Sequence, residues 1–108
     1  MNKTYPNVGD KLYLRQFTGN SWVDMVKRPY TVIGVSDTKV TIQECELVFN
    51  GPRYFDTLPD EIRRDPNGRI EELNWHPKRG MWGTKGRDAD YPQYAIFTNE
   101  YQYQPYLD

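Results

Sequence analysis

The chain has very few of the residues that form covalent cross-links or metal centres. Its 108 residues include one cysteine, Cys45, and one histidine, His76. A single cysteine excludes an internal disulfide, and a structural zinc site takes four ligands, mostly Cys and His. We therefore expect no disulfide, no bound metal and no cofactor.

Long apolar runs are also missing. No stretch approaches the roughly 20 apolar residues of a membrane-spanning helix. The N-terminal sequence MNKTYPNVGD lacks the hydrophobic centre of a signal peptide. These observations predict a soluble, cytoplasmic protein with no membrane partner.

Aliphatic residues are scarce, and aromatic residues take their place. Hydrophobic residues make up 37% of the chain, which nevertheless contains nine Tyr, four Phe and three Trp. Each aromatic side chain can bury about 150–250 Å², and disordered chains are poor in aromatics. This composition and length predict one folded domain over residues 1–108.

Neither sign of charge dominates. The 14 basic and 15 acidic residues give a formal net charge of −1. Nonspecific binding to duplex DNA depends on neutralising many phosphates, so this balance disfavours it. The charge is uneven, because residues 1–31 carry five basic and two acidic side chains, and a local basic face is compatible with this pattern.

The stretch from Arg28 to Phe49 is the centre of the predicted fold. Two β-rich runs flank Ser36-Asp37, which is a turn signal because both side chains hydrogen-bond to their own backbone. The first run carries apolar residues on both faces, namely Val32, Ile33 and Val35. This pattern predicts a strand that is covered on both sides.

The return run of this hairpin changes its alternation part-way. Val40 and Ile42 share one face, whereas Cys45, Leu47 and Phe49 share the other. A period of two can shift only at a bulge or a bend. We therefore predict one between Ile42 and Cys45.

Turn-forming residues separate further predicted strands along the chain. These strands are Lys11–Phe17, with Leu12 and Leu14 on one face, Trp22–Val26, Arg69–Trp75, Met81–Lys85 and Tyr91–Phe97. Pro29 lacks an N–H and is expected at the start of the central strand. Gly86–Asp90 is predicted to be a charged loop, and the aromatic tail Tyr101–Tyr106 is expected to lie along the sheet.

Residues 57–68 have two interpretations. Thr57-Leu58-Pro59-Asp60 is a helix-start signal that predicts one helical turn near Pro59–Arg63. Alternatively, Ile62–Arg64 is one arm of a hairpin around Asp65-Pro66-Asn67-Gly68, which would place Arg63 opposite Glu71.

Together these elements predict an all-β fold with six or seven short strands and at most one short helical turn. Three stretches of the first half, VGDKLYL at Val8–Leu14, YTVIGV at Tyr30–Val35 and KVTI at Lys39–Ile42, carry a resemblance. They resemble the opening strands of SH3-like small barrels of the KOW and Tudor types. The resemblance implies a single SH3-like barrel or sandwich, and the chain is also similar in size and composition to small phage or mobile-element proteins.

Cys45 and His76 form the one pair that could supply a nucleophile and a base. Catalysis requires both within hydrogen-bond reach, together with a third group that orients the base. Cys45 lies in an apolar alternation, where free cysteine usually acts as a small hydrophobe. The adjacent carboxylates of Asp60-Glu61 and Glu71-Glu72 point to opposite strand faces. We interpret the chain as a non-enzyme, with Cys45/His76 catalysis as a distant alternative.

Aromatic and basic side chains interleave between residues 75 and 87. They are Trp75, His76, Lys78, Arg79, Trp82, Lys85 and Arg87. A loop at Pro77–Gly80 would place Trp75 directly opposite Trp82, with Lys78 and Arg79 at the tip. This set is the predicted binding surface.

Three interpretations of this surface are open. Trp, Tyr and Arg dominate protein-binding hot spots, whereas rings and cations together also bind single-stranded nucleic acid. The third interpretation places both Trp in the core. We favour a non-enzymatic module that binds another protein, with an oligonucleotide-binding small barrel as the alternative, because the net charge disfavours nucleic acid.

Overall fold

Short strands separated by Gly, Pro and Asn turns make up most of the regular structure. The computed structural model describes residues 3–54, 56–85 and 91–105. Within these residues the elements are β1 (Lys11–Gln16), α1 (Ser21–Asp24), β2 (Pro29–Val35), β3 (Lys39–Glu44), β4 (Glu46–Val48), β5 (Glu61–Arg63), β6 (Ile70–His76), β7 (Met81–Gly83) and β8 (Gln93–Thr98).

Six of these strands close into an antiparallel barrel. Their order is β1-β2-β3-β6-β7-β8, and β8 returns to pair with β1. The remaining strands, β4 and β5, form a separate two-stranded sheet, which we call the arm. The all-β fold is confirmed, and the closed barrel is compatible with the SH3-like type.

The core of the barrel consists of inward-facing side chains from all six barrel strands. Its buried members are Leu12, Leu14, Tyr30, Val32, Val40, Ile42, Leu73, Trp82 and Ala95. The predicted alternation of Leu12 and Leu14 on β1 is confirmed. Two of these nine side chains, Tyr30 and Trp82, are aromatic, and the partly buried Trp75 packs against the cluster.

The central hairpin forms as predicted, with β2 and β3 joined at Ser36. The Ser36 N–H donates to the carbonyl of Lys39 at 2.8 Å, and the Lys39 N–H donates to Ser36 Oγ at 3.1 Å. β2 begins at Pro29, as expected for a residue that has no N–H to donate.

The bulge or bend predicted between Ile42 and Cys45 corresponds to two separate features of the structure. The register of β2 against β3 shifts between Val32 and Gly34, so the bulge lies on the first run rather than on the return run. On the return run, β3 ends at Glu44 and β4 begins at Glu46 in the other sheet. The change of face at Cys45 therefore marks the point where the chain leaves the barrel.

Only the first half of β2 is buried on both faces. Thr31 and Val32 point to opposite faces and both are buried, whereas Val35 is 38% exposed. Thr31 is covered because its Oγ1 lies 2.8 Å from the hydroxyl of Tyr101 and 3.3 Å from Cys45 Sγ. The expectation that both faces are covered as far as Val35 is wrong, because Val35 is exposed, and the described part of the tail covers β2 at Thr31 through Tyr101.

The predicted strand Trp22–Val26 is wrong. Ser21–Asp24 is a single helical turn, and the Asp24 carboxylate accepts hydrogen bonds from both the N–H and the Oγ1 of Thr18 at 2.9 Å. The N–H of Gly19 donates to the same carboxylate at 3.2 Å. These hydrogen bonds fold the loop back on itself and favour a turn over an extended strand.

Both interpretations of residues 57–68 require correction. Glu61–Arg63 is a strand and not a helical turn, and it pairs with β4 instead of forming a hairpin with β6. Arg63 lies opposite Glu46, not opposite Glu71.

The turn before β6 explains this pairing. The predicted turn is present, since the Gly68 N–H donates to the Asp65 carbonyl at 3.0 Å. Gly68 packs against β3 so closely that a Cβ there would overlap the Glu44 carbonyl oxygen. The Glu44 N–H donates to the Arg69 carbonyl at 2.9 Å, so the turn directs β6 onto β3.

The described part of the aromatic tail lies along the barrel, as expected. Lys27 and Gln104 exchange two backbone hydrogen bonds of 2.8 Å. The predicted charged loop Gly86–Asp90 and Tyr106 lie outside the described residues. The described helical residues are too few and too polar to form a segment that crosses a membrane.

Candidate binding surface on the outer face of the barrel

The two tryptophans of the predicted surface face each other across β6 and β7. Trp75 is directly opposite Trp82, as the four-residue loop predicted, and the ring centroids are 5.4 Å apart in an edge-to-face arrangement. Trp82 is only 2% exposed and belongs to the core, whereas Trp75 is half-buried against it. The Trp82 indole is therefore closed to solvent in this structure.

The N-terminal segment closes the barrel over Trp82. The indole Nε1–H donates to the Thr4 carbonyl at 2.7 Å, and the Tyr5 ring centroid lies 5.7 Å from the indole. Lys3 Nζ and the Tyr5 hydroxyl both donate to the Asp37 carbonyl, at 3.2 and 2.9 Å. Contacts within the chain thus satisfy the polar edge of Trp82.

His76 and Arg79 turn towards the outer face of β8, where they meet Tyr94. The ring centroids of His76 and Tyr94 are 5.1 Å apart, edge to face, and Arg79 Cζ lies 5.1 Å from the Tyr94 centroid. His76 Nε2 is 3.1 Å from the Thr84 carbonyl oxygen. These contacts fix the base of the β6–β7 loop against β8.

β1 brings a second arginine and a phenylalanine to the same place. Arg15 is opposite Tyr94 in the ladder of β1 and β8. Arg15 Cζ and Arg79 Cζ lie 4.7 and 4.9 Å from the Phe17 ring centroid, and that ring is 5.7 Å from Tyr94. We call this set the outer cluster, and its members are Arg15, Phe17, His76, Arg79 and Tyr94.

A glycine forms the floor of the outer cluster. A Cβ at Gly83 would stand 2.9 Å from Tyr94 Cδ1 and 3.3 Å from His76 Cδ2. Gly83 is opposite Tyr94 in the ladder of β7 and β8. The missing side chain therefore lets both rings lie directly on the barrel wall.

The guanidinium groups of the outer cluster have no carboxylate partner among the described residues. The pKa of Asp24 is lowered chiefly by the Thr18 backbone N–H and only slightly by Arg15. Its oxygens accept hydrogen bonds from Thr18 and Gly19 and not from Arg15. Arg15 Nε is buried without an acceptor in the described part of the chain.

The other basic residues of the predicted surface differ from these two arginines. Lys78 is exposed at the loop tip beside Arg79 and makes no ion pair with any residue that the structure describes. Lys85 is also exposed, but it lines a separate groove, and Arg87 lies outside the described residues. The structure therefore brings His76 and Arg79 together at Tyr94, with Lys78 next to them at the loop tip, whereas Lys85 lines the groove.

The groove beside Lys85 has a volume of about 850 Å³ and a mixed charge. Lys39 Nζ lies 2.8 Å from Glu72 Oε2, and Arg69 pairs with Glu71. The Lys39 ammonium lowers the pKa of Glu72 through this hydrogen bond. Because most charges of the groove are paired within it, the groove has less capacity for a charged ligand than the outer cluster has.

Cys45 and His76 make separate hydrogen bonds. Burial raises the pKa of the Cys45 thiol, and its Sγ lies 3.3 Å from Thr31 Oγ1. His76 Nε2 instead faces the Thr84 carbonyl. Within the described ranges, no hydrogen bond joins Cys45 to His76, and no three His, Cys, Asp or Glu side chains converge as metal ligands.

Three of the five members of the outer cluster, Arg15, Phe17 and Tyr94, were not predicted from the sequence. Leu12 and Leu14 face the core, so the alternation along the first strand places Arg15 and Phe17 on the outer face. Their orientation could therefore be predicted from the sequence. Tyr94 could not be assigned to the cluster, because its position depends on the register of β8 against β1. No sequence signal gives the pairing of strands so far apart in the chain.

Comparison with known proteins gives no match to this chain. No family model, no curated protein and no solved structure matches it. Its function is therefore inferred from the geometry of the barrel and the outer cluster.

Proposed function

We propose that this protein is a non-enzymatic module that binds another protein through the outer cluster and the neighbouring Lys78. The observation that supports it is the pair of guanidinium groups of Arg15 and Arg79, held within 5 Å of one Phe17 ring without a carboxylate partner in the described residues. The complementary ligand is a partner segment that presents Asp or Glu side chains.

Preorganisation makes this cluster a good receptor for carboxylates. Stacking on Phe17 and Tyr94 restricts both arginine side chains before any ligand arrives. Less side-chain entropy is then lost on binding. A guanidinium can bind a carboxylate through two parallel hydrogen bonds, and Arg and Tyr are enriched in binding hot spots.

The same contacts favour a protein partner over single-stranded nucleic acid. Base stacking needs accessible ring surface, whereas the rings of Phe17 and Tyr94 already contact each other, both arginines and His76. The net charge of −1 also limits the number of phosphates that the chain can neutralise.

The fold type, the cellular location and the origin of the protein are also part of this proposal. We assign the barrel to the KOW or Tudor type of SH3-like fold and the protein to the cytoplasm, with a phage or mobile-element origin. The closed six-stranded antiparallel barrel and the VGDKLYL sequence at Val8–Leu14 support the fold assignment.

The test compares two probes on one set of variants. The probes are a Glu-rich peptide and a short oligothymidylate, and the variants are Lys78→Glu/Arg79→Glu and the control Arg28→Glu/Arg53→Glu, which reverses two exposed charges outside the cluster. We expect the peptide to bind, and the first variant to lose about tenfold in affinity, or about 1.4 kcal/mol, while its circular dichroism spectrum shows that the barrel remains folded.

Two results would contradict this proposal. Equal peptide affinity in both variants would remove the outer cluster from the binding surface. Tighter binding of the oligothymidylate than of the peptide, with a steep loss of affinity as salt rises, would identify phosphate contacts and favour the oligonucleotide-binding alternative.

A further inference from the structure

The arm exposes an open strand edge. β4 and β5 pair with each other, and in the described part of the chain neither has a ladder partner in the barrel. A two-stranded sheet is at best marginally stable by itself. Its free edges present unpaired N–H and C=O groups, which can pair with a strand of another molecule.

The sequence at this edge is complementary to itself. Asp60-Glu61-Ile62-Arg63-Arg64 places two acidic residues before Ile62 and two basic residues after it. If two such strands pair antiparallel about a two-fold axis at Ile62, Glu61 of each copy lies opposite Arg63 of the other. Asp60 likewise lies opposite Arg64, and Ile62 lies opposite its own counterpart.

We propose that two copies of this chain form a symmetric dimer by antiparallel pairing of their β5 strands, centred on Ile62. The interface is isologous, as two-fold symmetry requires. The two arms become one four-stranded sheet in the order β4-β5-β5-β4. Every charged residue of the pairing faces an opposite charge, and such cross-strand pairs stabilise a sheet.

Contacts within one arm leave these side chains available to the second copy. Arg63 uses Nε for Glu46 Oε2 at 3.1 Å, so its terminal nitrogens are free to donate. Glu61 and Arg64 are exposed and make no ion pair with the described residues. Asp60 accepts a hydrogen bond from the Asn50 N–H through Oδ2 alone, at 2.7 Å.

Apolar contacts add to this pairing. Leu47 is opposite Ile62 in the arm, so both side chains lie on the same face of the sheet. In the dimer, Leu47 and Ile62 of both copies form one continuous apolar stripe. Natural edge strands avoid self-association by placing like charges or Lys at the edge, and the order of charges here is attractive instead.

Sedimentation of the intact chain from micromolar to millimolar concentration tests the dimer. We expect a reversible monomer–dimer equilibrium that shifts towards monomer as salt rises, since salt screens exposed charges. A chain that stays monomeric at millimolar concentration would contradict the proposal.

Charge exchange tests the register. One variant is Glu61→Arg. The other is Glu46→Arg/Arg63→Glu, in which the reversal of Glu46 preserves the opposite charges across the arm. Each variant alone places like charges opposite each other in the dimer and should weaken association about tenfold or more.

Mixing the two variants restores opposite charges, because a copy with basic side chains at positions 61 and 63 then meets a copy with acidic side chains at both. A heterodimer should therefore form. The control Glu100→Arg makes a matched charge change at an exposed site outside the arm and should dimerise like the wild type. Failure of the mixture to associate, with both variants folded, would overturn the register. An effect of Glu100→Arg as large as that of Glu61→Arg would show that net charge, and not β5 pairing, governs association.

Discussion

The Tyr94 ring lies directly on Gly83. A Cβ at position 83 would stand 2.9 Å from Tyr94 Cδ1 and 2.8 Å from the Gln93 carbonyl oxygen, both closer than Cβ atoms ordinarily approach. The backbone of β7 therefore serves as the floor on which Tyr94, and through it Arg79 and Phe17, are arranged. The outer cluster depends on the absence of one side chain.

Gly83→Ala should lower the free energy of unfolding by about 1–3 kcal/mol, the usual cost of overpacking. It should also displace Tyr94 from the barrel wall. Gly51→Ala is the matched control, because no atom lies within 4 Å of a Cβ built there. Equal melting temperatures for the two variants would show that Tyr94 can move aside without loss.

Two isoleucines of the central hairpin should differ in their contribution to stability. Ile42 is completely buried, so Ile42→Ala should lower the free energy of unfolding by about 2–5 kcal/mol. Ile33 is the unpaired residue of the bulge between Val32 and Gly34 and is half-buried, so Ile33→Ala should cause a clearly smaller loss. Urea unfolding of both variants measures the difference. A larger loss of stability for Ile33→Ala would show that the core packs against the other face of β2.

Asp24 should make stability depend on acid pH. The Thr18 backbone N–H, together with the Thr18 hydroxyl and the Gly19 N–H, lowers its folded-state pKa below the ordinary value of 3.8. The stabilisation is therefore complete above that value and is lost as pH falls through the lowered pKa.

Asp24→Asn removes this ionisation. The variant should melt below the wild type at neutral pH, and the two melting temperatures should converge as the pH is lowered into the acid range. A difference in melting temperature that is the same at every pH would assign the role of Asp24 to its hydrogen bonds alone.

Local sequence patterns predicted much of the barrel. The alternation of Leu12 and Leu14 predicted the inner face of β1, and the Pro77–Gly80 loop predicted the Trp75–Trp82 pairing. In both cases the information lies within a few residues of chain, because side-chain period and loop length fix orientation and register locally.

Long-range pairing could not be predicted in the same way. Residues 61–63 are too few for a periodic pattern, and their pairing with β4 follows from the close approach of Gly68 to Glu44, which no local signal shows. The outer cluster likewise requires β1, β7 and β8 to be neighbours. The change of face at Cys45 was visible in the sequence, but its meaning, departure from the barrel, appears only in three dimensions.

The most direct test of the proposed binding surface is an NMR titration that follows the Nε–Hε signals of Arg15 and Arg79. The probes are a Glu-rich peptide and its Gln counterpart, which differ only in charge. We predict saturable shifts of both arginine signals with the Glu peptide and none with the Gln peptide. Shifts that are equal for the two peptides, or that are confined to the Nε–Hε signal of Arg69 in the groove beside Lys85, would contradict a carboxylate-binding role for the outer cluster.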